Sequence, residues 1–327
     1  MNTGLKITAF AAAVAATFGT AYGVGQAVDP VTDKAPAARH GAHDGDRREG
    51  RKTHGGAAAG GLRISERGYT LDLKTARVAA DRKEELRFAV VKDSTGRNVT
   101  AYQKEHDKEL HLIVASRDLT VYRHLHPVRA ADGVWSTKVE LPEAGGYRVF
   151  ADFRPEGAQE GLTLGADLAV AGEAAPRKLP AHSATATVDG YDVTLKGELK
   201  TGAGGGLTLA VAKNGRPVTD LQPYLGAYGH LVALRSGDLA YLHVHPNGEP
   251  GDGRTKAGPG VSFTATAPSA GAYRLFLDFK HEGKVRTAAF TVHAGGDTGR
   301  TETDGGGHAE PEAGHGTGTE KDGGHQH

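Results

Sequence analysis

An internal repeat constrains this chain more than any other feature. Residues 96–127 align without a gap over residues 215–246, and Gly, Arg, Val, Thr, Gln, His, Leu, Tyr, His, His and Pro recur in register. Further on, LPEAGGYRVFADFRPEG (141–157) matches APSAGAYRLFLDFKHEG (267–283), after connections of different length. A repeat of this size predicts two homologous domains whose loops have diverged.

Each half reads as a series of short β-strands. Alternating or β-branched runs are separated by Gly, Pro and Asp, and the first half has seven of them: 69–73, 86–91, 111–116, 119–125, 134–141, 147–153 and 163–170. Seven such runs are typical of an immunoglobulin-like β-sandwich. Tyr147 and Tyr273 each follow a small-residue turn, as in the tyrosine corner of such sandwiches. The predicted fold class is therefore all-β, with two tandem immunoglobulin-like sandwiches.

The remaining segments set the domain boundaries. Lys6 precedes an apolar stretch, which predicts an export signal that is either cleaved or kept as a membrane anchor. Segments rich in Gly, Ala, Pro and charge predict disordered tethers on both sides of the repeats. The predicted organisation is a signal peptide or anchor helix at 1–28, a disordered linker at 29–61, sandwich repeat 1 at 62–173, a linker at 174–182, repeat 2 at 183–294 and a His/Gly-rich tail at 295–327.

Composition narrows the chemistry. The chain has 39 Lys plus Arg and 39 Asp plus Glu, so it carries no basic surface for nucleic acid, and its only membrane contact is expected through the N-terminal segment. It has no cysteine, and its one methionine is Met1, which excludes thiolate and thioether metal ligands. Histidine is abundant, at 17 residues. A bound metal is therefore expected to be Cu(II) or Zn(II), held by imidazole.

The sharpest motif is His-x12-His-x-His-Pro, which occurs once in each repeat. A hairpin whose paired residue numbers sum to 235 places His111 opposite His124, with His126 on the same face. Three imidazoles on one rigid platform suit a divalent metal. The predicted metal ligands are His111, His124, His126, His230, His243 and His245. The two sites are expected to be independent, because the repeats are separate domains joined by a short linker.

A fourth ligand remains open. Asp152 and Asp278 lie in the repeated Phe-x-Asp-Phe, either as ligands or as acceptors that fix an imidazole tautomer. Further candidates are His106, Tyr122, Tyr241 and His281.

The patterns HLIVASRDLTVYRHLHP with GGYRVFADF, and HLVALRSGDLAYLHVHP with GAYRLFLDF, suggest a family. They resemble secreted actinobacterial proteins related to YtkA-like and heavy-metal-binding domains, over both repeats. The resemblance implies an immunoglobulin-like sandwich outside the cytoplasmic membrane with a role in metal handling. The Gly-x-Tyr strand is also similar to that of CopC-type copper carriers, although their amino-terminal histidine is not recognisable here.

The leading hypothesis is a non-enzymatic, exported protein that binds, buffers or delivers a divalent metal at the cell surface. Its partner is the metal ion, and a membrane metal transporter or another exported protein is a candidate recipient. Histidines in the tethers would raise the local metal concentration: His40, His43, His54, His308, His315, His325 and His327. Two alternatives stay open. LHVHPNG resembles the His-x-His strand of copper–zinc superoxide dismutases and cupins, whose other ligands are missing here, and the chain could be an adhesion module with incidental histidines.

Overall fold

The computed structural model describes residues 59–295, and these residues contain strands and connections but no helix. Within that range no helix has the length and apolar character to cross a membrane. The predicted signal or anchor at 1–28, most of the linker and the tail lie outside the described residues. Residues 60–61, assigned above to a disordered linker, are instead paired: Gly60 exchanges backbone hydrogen bonds with Tyr241, and the Gly61 N–H donates to the Thr163 carbonyl.

Repeat 1 forms two sheets that pack face to face. Its strands are β1 (Ser65–Glu66), β2 (Tyr69–Leu73), β3 (Arg77–Ala79), β4 (Lys83–Lys92), β5 (Arg97–Asn98), β6 (Tyr102–Gln103), β7 (Leu110–Ser116), β8 (Tyr122–Leu125), β9 (Val128–Arg129), β10 (Val134–Glu140), β11 (Gly145–Pro155) and β12 (Leu162–Ala171). One sheet has the order β1-β2-β4-β10-β9, and the other has the order β3-β12-β11-β7-β8. Each of the seven predicted runs contains a strand, although the run 119–125 begins in a turn and its strand starts at Tyr122. The predicted sandwich is confirmed.

Repeat 2 has the same architecture with its two sheets joined. Its strands are β13 (Thr185–Val188), β14 (Tyr191–Gly197), β15 (Lys200–Thr201), β16 (Gly205–Lys213), β17 (Arg216–Pro217), β18 (His230–Arg235), β19 (Tyr241–Pro246), β20 (Gly260–Ala267), β21 (Gly271–His281) and β22 (Lys284–Ala294). The sheet order is β13-β14-β16-β20-β19-β18-β21-β22. β19 makes the join, because its first half pairs with β18 and its end pairs with β20.

Each sandwich has its own apolar core. The tyrosine corners are confirmed: the Tyr147 hydroxyl donates to the Glu143 carbonyl at 2.8 Å, and the Tyr273 hydroxyl donates to the Ser269 carbonyl at 2.8 Å. Both rings are buried in their cores. These hydrogen bonds satisfy a polar group at the point where the chain enters β11 and β21, the central strands beside the histidines.

A third apolar cluster joins the repeats. It consists of Ile113, Ala115, Leu119, Tyr122 and Phe150 from repeat 1 and Val232, Leu234, Leu239, Tyr241 and Phe276 from repeat 2. Tyr122 stacks on Phe276 with ring centroids 4.1 Å apart, and the equivalent pair, Tyr241 and Phe150, lies at 5.6 Å. The outer faces of the two histidine-bearing sheets therefore pack on each other. The two repeats, which were expected to be joined only by a short linker, are therefore in contact, because these outer faces are too apolar to remain in water.

Candidate metal centre

The hairpin β7–β8 brings the histidines of repeat 1 to one face. Leu112 pairs with Leu125 and Ile113 with His124, so the position opposite His111 is that of His126 and not of His124. The predicted register is therefore wrong by two residues. Because side chains alternate with a period of two, a shift of two keeps all three histidines on the predicted face.

The turn explains the shift. In the last hydrogen-bonded pair of the hairpin, the Ser116 N–H donates to the Val121 carbonyl. The four residues between them, 117–120, form the turn. Leu119 closes the turn at φ +60°, a conformation that a leucine rarely adopts. Asp118 supports it by accepting hydrogen bonds from Ser116 and Thr120. The second hairpin is displaced in the same way: Val232 pairs with His243, so His230 is not opposite His243.

The three imidazoles of repeat 1 lie at the spacing of metal ligands. We call His111, His124 and His126 the histidine cluster. Their ring centroids are 4.8 Å (His124–His126), 5.3 Å (His111–His124) and 5.5 Å (His111–His126) apart. Rings bound to one tetrahedral ion have centroids roughly 5 Å apart when the metal–nitrogen bonds are about 2.0–2.1 Å. One ligand nitrogen from each ring lies within 4.8 Å of the other two.

Hydrogen bonds define which nitrogens are free to bind. His111 Nε2 lies 3.0 Å from the Glu105 carbonyl oxygen, so it carries the proton and donates. His124 Nδ1 lies 2.8 Å from Asp278 Oδ2 and donates to that carboxylate. These assignments leave lone pairs on His111 Nδ1 and His124 Nε2, which face each other at 3.1 Å. Two lone pairs at this distance repel unless a cation, either a proton or a metal ion, lies between them.

The distance between those two nitrogens fits a shared ion. Two nitrogen ligands on one ion, each at about 2.0–2.1 Å, lie roughly 2.9–3.4 Å apart. The third ring, His126, has a buried Nε2 that finds no hydrogen-bond partner among the residues that the structure describes. A buried polar atom without a partner is costly, and a metal ion would satisfy it.

Burial keeps the imidazoles of His111, His126 and His230 neutral at neutral pH. Desolvation lowers the pKa of His111 to about 4 and that of His126 to about 3, and the neighbouring His124 adds to both shifts. Desolvation also lowers the pKa of His230 to about 4. A neutral imidazole is the form that binds a metal, so at neutral pH these side chains need not lose a proton first.

Two side chains of repeat 2, those of Asp278 and His230, lie beside the histidine cluster of repeat 1. Asp278, on β21, is 2% exposed; its Oδ2 accepts from His124 and its Oδ1 accepts from the Thr287 hydroxyl at 2.5 Å. The ring of His230 lies 6.3 Å from both His111 and His124, and 5.1 Å from His106. The sequence had singled out these residues, but it did not indicate that they meet across the repeats.

The other predicted residues are placed as follows. The backbones of His243 and His245 lie in β19, and their side chains are outside the described part of the structure. Asp152 accepts from Thr163 at 2.8 Å and from the Tyr241 hydroxyl of repeat 2 at 3.4 Å. The buried Tyr122 hydroxyl has no partner within residues 59–295. His281 is bonded elsewhere, to Tyr191 and Asp220, so it does not join the histidine cluster.

Two immunoglobulin-like sandwiches with a buried imidazole cluster at their contact define a class, an all-β repeat protein with a candidate metal centre. The chain belongs to the family described as domain of unknown function DUF8832, whose pattern matches it twice, at 64–168 and 186–296. The two matches agree with the duplication. The description of the family names no activity. No curated protein sequence matches the chain.

Solved structures with similar strands have low sequence identity to this chain. The D0-D1 domain of intimin is 11% identical and matches over 68% of this chain and 96% of its own, with a TM-score of 0.19. InvD of Yersinia pseudotuberculosis is 12% identical. The match covers 73% of this chain and 62% of InvD, with a TM-score of 0.24. Invasin, a bacterial integrin-binding protein, is 13% identical. The match covers 68% of this chain and 39% of invasin, with a TM-score of 0.19. Scores this low mean that the chains do not superpose as wholes, and we draw no function from them.

Proposed function

We propose that this protein binds a divalent metal ion, Cu(II) or Zn(II), through the histidine cluster, and that it buffers or delivers the ion outside the cytoplasmic membrane without catalysing a reaction. The resemblance to YtkA-like and heavy-metal-binding proteins supports the role, and the export-signal pattern before residue 28 supports the location. A membrane metal transporter or another exported protein is the expected recipient of the ion.

One observation carries the proposal. His111 Nδ1 and His124 Nε2 face each other at 3.1 Å while hydrogen bonds occupy the protons of both rings. Without a metal, a proton on one of these two nitrogens would let one ring donate to the other. Here a carbonyl and a carboxylate fix the tautomers that turn both lone pairs inward, which is how proteins orient imidazole ligands toward a metal.

Calorimetric titration of the full chain with Zn(II) and with Cu(II) tests the proposal. The wild type should show tight binding, and the double variant His124→Ala/His126→Ala should lose one tight equivalent. The matched control is His182→Ala/His293→Ala, which also removes two histidines but from an exposed pair with ring centroids 5.8 Å apart, outside the cluster. Equal binding by the wild type and the cluster variant would rule out the function.

The same titration addresses the second repeat. The internal repeat predicts a second site at His230, His243 and His245. The variant His243→Ala/His245→Ala should lose one equivalent and keep the one bound at the histidine cluster. The histidines of the two predicted tethers lie outside the described residues. Their contribution is expected to be weak and easily removed by a chelator.

A further inference from the structure

The histidine cluster receives two side chains from the other repeat. We propose that the metal centre is shared between the repeats: Asp278 of repeat 2 positions His124 of repeat 1, and His230 of repeat 2 completes the ligand set, so that metal binding holds the two sandwiches together. This inference rests on the proposed function and adds to it which residues complete the site and what the ion does to the fold.

The first step is the aspartate. Asp278 is buried, and both of its oxygens are engaged, by Thr287 and by His124. Burying an ionised carboxylate this deeply costs free energy unless a positive charge nearby compensates it. The ring of His124 lies between Asp278 and the facing lone pairs. A cation among those lone pairs would compensate the carboxylate through the imidazole, which is the geometry of carboxylate–histidine–metal arrangements.

The second step is that the aspartate of each repeat contacts a side chain of the other repeat. Asp278 aligns with Asp152 in the repeat, but it contacts a histidine of the opposite repeat. The opposite crossing also exists: the Tyr241 hydroxyl of repeat 2 donates to Asp152 of repeat 1 at 3.4 Å. Each repeat thus places its Phe-x-Asp-Phe carboxylate against the other repeat, in the manner of a two-fold interface between copies of one domain.

The third step is His230. Its Nε2 donates to the Tyr224 carbonyl at 2.8 Å, just as His111 Nε2 donates to the carbonyl of Glu105, the residue equivalent to Tyr224. Both rings therefore keep Nδ1 as the nitrogen with a free lone pair. The 6.3 Å between the centroids of His230 and each of His111 and His124 exceeds the roughly 5 Å spacing of ligands on one tetrahedral ion by about 1 Å. Closing the interface by about 1 Å would bring His230 within the spacing of a metal ligand.

The experiment combines zinc titration and histidine ¹⁵N NMR on the full chain. Asp278→Asn keeps an acceptor but removes the charge, and His230→Ala removes the proposed ligand. Each should weaken Zn(II) binding at the cluster by about 10–100-fold, the range seen when residues around metal ligands are changed. The control is His281→Gln, a buried histidine of repeat 2 outside the cluster, which should bind zinc as the wild type does. In metal-free protein, His124 should carry its proton on Nδ1, and Asp278→Ala should shift that tautomer.

A readout on the wild type avoids the risk that a variant misfolds. Zinc should slow amide hydrogen exchange in β7 and β8 of repeat 1 and equally in β18 and β21 of repeat 2. Protection confined to repeat 1, or unchanged zinc affinity in both Asp278→Asn and His230→Ala, would overturn the shared centre while leaving the proposed function intact. If the wild type takes up no zinc at the cluster, the proposed function itself fails.

Discussion

At the scale of single residues, the tautomer of each imidazole decides what the cluster can do. His111 is fixed by a backbone carbonyl, and His124 is fixed by a carboxylate. The residue types and their spacing were readable from the sequence, including the suggestion that Asp278 fixes a tautomer. The identity of the histidine that Asp278 serves was not readable, because sequence spacing carries no information about which outer faces of two domains meet.

The lowered pKa values make stability depend on pH in the metal-free protein. His111, His126 and His230 have pKa values near 4, 3 and 4 in the folded chain, against about 6.5 when unfolded. Between these values the unfolded chain binds more protons, so the free energy of unfolding falls as the pH decreases from about 6.5 to about 4, by on the order of a few kcal/mol. Urea unfolding at pH 7.0 and 5.0 measures this loss. A His111→Gln/His126→Gln variant should show a shallower slope, and a flat wild-type profile would contradict the assigned burial.

At the scale of elements, the strands were predictable and the register was not. Seven runs of alternating sequence became seven strands, and the tyrosine corners formed as their motif predicts. The hairpin register missed by two residues because Leu119 adopts φ +60°, which no composition rule assigns to leucine. A signal for the contact between repeats was present: LHLIVAS is apolar on both faces, and every residue of β7 is buried.

The segment around Gly61 supports the histidine-bearing sheet from its edge, and this gives an element-scale prediction. A Cβ on Gly165, in β12, would lie 2.0 Å from the Gly61 carbonyl oxygen, a backbone atom that cannot rotate away. Gly165→Ala should therefore lower the free energy of unfolding by about 1–3 kcal/mol. Gly206→Ala, in β16, is the control, since its Cβ meets nothing within 4 Å, and it should change stability by less than about 0.5 kcal/mol. Urea unfolding of both variants tests this; equal effects would contradict the close approach.

At the scale of the whole molecule, the two repeats behave as one unit held by an apolar contact. The contact is roughly symmetric, with Tyr122 on Phe276 and Tyr241 near Phe150. The repeat in the sequence predicts two domains but does not show whether they are in contact. A linker and two separate cores are compatible with domains that touch and with domains that do not. The histidine cluster lies beside this apolar contact, so changes to the contact should reach the metal.

A pair of phenylalanine variants separates the contact from general stability. Phe276→Leu weakens the stack on Tyr122 between the repeats, whereas Phe290→Leu alters the core of repeat 2. Each should cost about 1–2 kcal/mol in unfolding free energy. Only Phe276→Leu should also weaken zinc binding at the histidine cluster, because it loosens the interface that holds Asp278 against His124. Equal zinc affinity in the two variants, measured by calorimetry, would show that the contact does not support the site.

The most direct measurement is anomalous diffraction at the zinc edge from crystals of the zinc-loaded protein. The account predicts a peak between His111 Nδ1 and His124 Nε2, with His126 also bound and metal–nitrogen distances of about 2.0–2.1 Å. His124 should keep its hydrogen bond to Asp278. Zinc found only at other positions, with His111 and His124 still in direct contact at their present spacing, would contradict the account.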